Sequence, residues 1–77
     1  MGHRTNRIPA SEVKVGDVIV FSTGSSLTVA TITREDGDDL IVFAGTMTTY
    51  AFDGNTTAEG WCEEFWDGLV TVIGDKW

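Results

Sequence analysis

The sequence holds one cysteine, Cys62, and one histidine, His3. With a single thiol no intramolecular disulfide forms and no zinc-ligand spacing exists, a pattern that fits a reducing cytosol. A Cys-His nucleophile pair would require the N-terminal segment to fold back onto Cys62, so Cys62 is expected to be a small buried hydrophobe. Basic residues are equally scarce. Five Lys and Arg stand against twelve Asp and Glu, for a net charge of -7, and none lies between Arg34 and Lys76. That stretch carries Glu35, Asp36, Asp38, Asp39, Asp53, Glu59, Glu63, Glu64, Asp67 and Asp75. So acidic a body repels phosphate backbones, which disfavours direct binding of nucleic acid or an anionic membrane. Long apolar runs are absent as well: none approaches the ~20 residues of a membrane span. No apolar core precedes Glu12, Lys14 and Asp17, so a signal peptide is not expected. Neither standard glycine-rich phosphate loop occurs, and the nine glycines are spread about one per turn. The expectation is a cytoplasmic, non-enzymatic protein with no cofactor and no metal.

What remains is a mostly β chain. Its 77 residues make one domain, and a chain of this size buries only about 60 to 65% of the surface its unfolded form exposes. Residues 1–7 read as a disordered leader and 8–77 as a single small domain. "ASEVKVGD" is a turn-rich opening in which Gly16 and Asp17 swing the backbone into "DVIVFS", residues 17–22, the first strand. Lys14 and Asp17 are assigned to turn geometry. "LTVATITRE", residues 27–35, alternates Leu27, Val29 and Thr31 with Thr28, Ala30 and Ile32 as a second strand. "DGDD" at 36–39 is a hairpin turn. "LIVFA" is a third strand, broken or bulged at Gly45 before a fourth, "TMTTYAF". "GLVTVIG", residues 68–74, is a fifth. Between them Thr56 and Glu59 have the spacing of a helix capping box, and Gly68 sits where a C-cap glycine belongs, which predicts a short helical turn near 57–66. About five short antiparallel strands with tight turns predict an all-β fold that curls on itself as a small barrel.

"ASEVKVGDVIVF" followed by "TVATITREDGDDLIVF" resembles the opening of short acidic proteins found in actinobacteria and their phages. It is also similar to small barrels of the Src-homology-3 type. The resemblance covers residues 8–52 and implies a barrel without catalytic machinery, often without an assigned function. The segment from Asn55 to Gly68 has no counterpart in it.

That segment contains "WCEEFWDG". As a helical turn it stacks Trp61 on Phe65, sets Cys62 and Trp66 beside them, and turns Glu63 and Glu64 to water. One reading makes it a plug that closes an open end of the barrel and completes its core. The other leaves tryptophan exposed in an acidic rim as a docking patch for protein, formed by Trp61, Phe65, Trp66, Glu63, Glu64 and Asp67. Trp77 is either tucked against the barrel or part of the same patch. Asp53, Asn55 and Glu64 partly imitate a calcium loop, but Ala58 stands where its sharp-turn glycine belongs, so solvated acids are the expected reading. Three roles follow from these residues: protein binding, for a phage chain on a host protein; self-assembly through strand edges; or acidic mimicry of nucleic acid.

Overall fold

The computed structural model of the chain describes residues 5–35, 37, 39–51 and 53–73. Among the described residues there are six strands: β1 (Thr5–Pro9), β2 (Val18–Val20), β3 (Ser25–Thr33), β4 (Leu40–Ala51), β5 (Gly54–Phe65) and β6 (Leu69–Ile73). They form one antiparallel sheet in the order β1-β6-β2-β3-β4-β5. The all-β expectation holds, but among the described residues the two edge strands, β1 and β5, do not pair with each other, so the sheet is not closed into a barrel.

The alternation read in the sequence sets the inner face. Ile19, Leu27, Val29, Ile41, Phe43, Val70 and Val72 bury their side chains there, and Ile8, Ala10 and Val13 cover them from the N-terminal side. Each large side chain so buried contributes about 1.5 to 3 kcal/mol. The opening segment works as its composition predicts. Ala10–Glu12 form a short 3-10 helix, and the Lys14 backbone N–H donates to the Asp17 carboxylate at 2.9 Å while the Asp17 N–H donates to the Lys14 carbonyl at 3.0 Å. Gly16 takes φ 97°, a left-handed value that side chains avoid, and its N–H reaches the Val29 carbonyl. The turn is thereby sewn to β3.

Three expectations are corrected. The leader is ordered from Thr5 onward, because Thr5–Pro9 pair with Leu69–Ile73 and cover one side of β6; residues 1–4 lie outside the described residues. The helical turn at 57–66 is instead strand β5, paired with β4 in unbroken register from Ala51↔Gly54 to Leu40↔Phe65. Gly68 caps no helix; its N–H bonds the Phe65 carbonyl in the turn into β6. Gly45, finally, does not divide two strands. β4 runs through it, and the bulge lies across the ladder in β3, where Val29 faces Gly45, Thr31 faces Ala44 and Ala30 is the extra residue. A Cβ on Gly45 would collide with the Thr28 carbonyl oxygen and stand 2.8 Å from the Ala30 nitrogen. The glycine is required by the bulge on its neighbour.

Of the acidic hairpin between β3 and β4, Gly37 has φ 75° and suits a reversal, while Asp36 and Asp38 lie outside the described residues.

Candidate protein-binding face

β4 and β5 are paired without a register slip, so residues opposite one another share a face. On the outer face the pairs are Leu40 with Phe65, Val42 with Glu63, Ala44 with Trp61 and Thr46 with Glu59. Trp61 and Phe65 are 62% and 65% exposed on that face, and Tyr50, opposite Asn55 toward the far end of β4, is exposed there as well. Two carboxylates flank Trp61 at two-residue steps along the same strand, Glu59 before it and Glu63 after it.

The surface beside Trp61 is hollow because its floor is built from small residues. Ala30, Thr31, Ala44, Gly45, Thr46, Glu59, Gly60 and Trp61 line a shallow groove of about 550 Å³. A second, of about 350 Å³, adjoins it between Met47 and the N-terminal half of β5 and shares Glu59, Gly60 and Trp61. Both hollows are open and lined by no cluster of convergent titratable groups. A shallow groove between an aromatic wall and a carboxylate can seat a side chain of a protein partner.

The inner face of β5 differs. Cys62 packs on the core opposite Phe43. Burial, with the nearby Glu64 carboxylate adding to it, pushes the Cys62 thiol up to about 11. Glu64 also turns inward, opposite Ile41, and burial raises its carboxyl above the usual carboxylate range. The thiol is thus protonated at neutral pH and a poor nucleophile.

The structure therefore divides the residues that the sequence grouped together. Trp61, Glu63 and Phe65 share the outer face. Glu64 leaves it for the inner face, against the expectation that it stands beside Glu63 in water. Trp66 and Asp67 lie in the turn after β5, where the Trp66 backbone N–H donates to the Asp39 carbonyl at 2.7 Å and the Arg34 guanidinium lies 4.0 Å from the Trp66 ring centroid. Such stacking holds Trp66 in place and screens it in part from a partner. The plug reading is corrected, because the core is completed by Ile8, Ala10 and Val13 and leaves Trp61 and Phe65 outside. Leu40, Val42 and Ala44 are the residues of this candidate face that the sequence reading passed over; their even-numbered phase opposite Trp61 was the available signal. The partial calcium loop is extended strand, which points successive residues to opposite faces. Trp77 lies outside the described residues.

Among the described residues, no helix is long and apolar enough to cross a membrane. No protein-family model, curated protein or solved structure matches this chain.

Proposed function

We propose that this protein is a non-enzymatic binding module that docks a protein partner on the outer face of β4 and β5. One observation carries the reading: two large aromatic side chains, Trp61 and Phe65, stand exposed on the same face of one strand, over Leu40 and Ala44, with Glu59 and Glu63 beside them. Aromatic anchors inside a charged rim are the usual energetic centre of a protein interface. The acidic rim favours a partner whose complementary surface is basic, and it speeds encounter with one. Trp66 and Asp67 extend the rim beyond the end of β5. The resemblance to short phage proteins supports an accessory role on a host protein in the cytoplasm. The sheet is read as an opened form of a small Src-homology-3-like barrel. Supporting this is the short turn 66–68, which joins the edge strand β5 to β6, the neighbour of the other edge strand, together with the Ser11 N–H that bonds the Trp66 carbonyl just beyond β5.

Affinity capture from nuclease-treated bacterial lysate, at low and high salt, tests the reading when wild type is compared with Trp61→Ala/Phe65→Ala. A protein held by wild type at both salts and lost from the double variant is the expected result. Equal retention by the two forms would refute it. A basic protein lost from wild type at high salt and indifferent to the aromatic substitutions would favour mimicry of nucleic acid instead.

A further inference from the structure

The two edges of the sheet are unlike. β1 is five residues long and ends in Pro9, a residue that cannot donate to a ladder. β5 is twelve residues long, contains no proline and no lysine, and runs against β4 without a bulge. Long, regular, uncovered edges invite another strand, and proteins ordinarily blunt them with proline, lysine or a bulge. Proline, lysine and a bulge are absent from β5, no described strand other than β4 pairs with it, and its inward-pointing charge, Glu64, lies near the C-terminal end, away from the first half of the strand. Its first half, Gly54–Glu59, is exposed at every position, so both faces and the outer edge are open there at once.

We propose that β5 accepts a seventh strand: an extended segment of a partner protein that carries Lys or Arg at alternate positions. This rests on the protein-binding role proposed above and names the partner's chemistry and its mode of attachment. Backbone hydrogen bonds along the free edge supply attachment that is indifferent to sequence, and the flanking side chains supply selection. On the outer face an added strand meets Thr57, Glu59, Trp61, Glu63 and Phe65 in succession. A basic residue placed opposite Glu59 or Glu63 makes a favourable cross-strand pair, and its stem or charge reaches the Trp61 ring between them. On the inner face the same strand meets Ala58, Gly60 and Cys62, which leave room for small or β-branched residues. A second copy of this chain fits less well. It doubles Glu59, Glu63 and Glu64 along one seam, and antiparallel pairing centred on Trp61 sets Glu59 against Glu63.

The test uses the full chain and two synthetic peptides of about the length of β5, one alternating Lys with Thr or Val, the other with Glu in place of Lys. Amide hydrogen exchange is followed by NMR at residues 54–65, together with the indole N–H signal of Trp61. The Lys peptide should slow exchange of alternate β5 amides, those facing the open edge, and shift the Trp61 indole, while the Glu peptide does neither. Glu59→Lys/Glu63→Lys, exposed substitutions that leave the core intact, should weaken Lys-peptide binding roughly tenfold or more. Equal binding of both peptides would overturn the proposal, as would a free protein that is already dimeric with those amides protected. A shifted indole with unprotected β5 amides would overturn strand addition and leave the face-docking reading standing. If the Lys peptide does neither, strand addition is refuted, and the lysate capture then decides the docking reading on its own.

Discussion

The two halves of β5 share one partner strand and one unbroken register, yet they live in different surroundings. From Gly60 to Phe65 exposure alternates, with Gly60, Cys62 and Glu64 turned toward the body of the protein. From Gly54 to Glu59 nothing alternates, because both faces are in solvent. Core apolar side chains lie under the first of these stretches: Phe43 faces Cys62 and Ile41 faces Glu64. Under the other, Thr49 faces Thr56 and Met47 faces Ala58, and only Met47 packs against the core. A ladder of hydrogen bonds sets where a strand runs; burial of one face decides whether it is anchored.

Substitutions on the two halves should separate them sharply. Phe43→Ala removes the largest fully buried side chain, beneath the anchored half, and should cost about 3 to 5 kcal/mol in chemical denaturation. A cost near zero would show that the inner face is not the source of stability. Gly45→Ala strikes the junction between the halves, where the β3 bulge crowds β4, and should cost about 1 to 3 kcal/mol with loss of exchange protection around Ala30. Glu64 probes the anchored half by pH. Its carboxyl is raised in the folded state, so folding takes up a proton and stability falls as pH rises from the unfolded value through the folded one. Glu64→Gln should therefore stabilise the protein at pH 7 relative to wild type, and the advantage should vanish below the ordinary carboxylate range. An advantage that persisted in acid would assign the effect to something other than ionisation. Cys62 should react with iodoacetamide at pH 8.5 roughly a hundredfold more slowly than free cysteine and accelerate toward pH 11. Thr57→Ala, on the bare half, should move stability by no more than about 0.5 kcal/mol.

The contrast also explains what could be read from the sequence. β2, β3 and β6 announce themselves through β-branched residues at alternate positions, and the Lys14–Asp17 turn through its glycine and carboxylate. β5 does not. "GNTTAEGWCEEF" mixes glycine, asparagine and three glutamates with a helix-capping spacing, so its strand state comes from pairing with β4, a tertiary effect that overrides local preference. β1 is hidden for the same reason, being mostly polar and ordered by β6. The site was half legible. Trp61 and Phe65, four residues apart, fall on one side in a helix and in a strand alike, so the aromatic pair survives the change of element. The carboxylates do not survive it, because a period of two sends Glu63 outward and Glu64 inward. Gly45 was legible as special, but the bulge that makes it so lies on another strand, and no local pattern records that.

The pairing of β1 with β6 sets a timetable for folding. Arg7 meets Thr71, so this contact closes a loop of roughly sixty residues, whereas β3, β4 and β5 follow one another through short turns. The meander that carries Trp61 and Phe65 can assemble early from neighbouring contacts, while Ile8, Ala10 and Val13 must wait for the far end of the chain before they cover Val70 and Val72. Until then the inner face is open on the same molecule that presents an uncovered edge, and the seven net negative charges keep such half-finished chains apart.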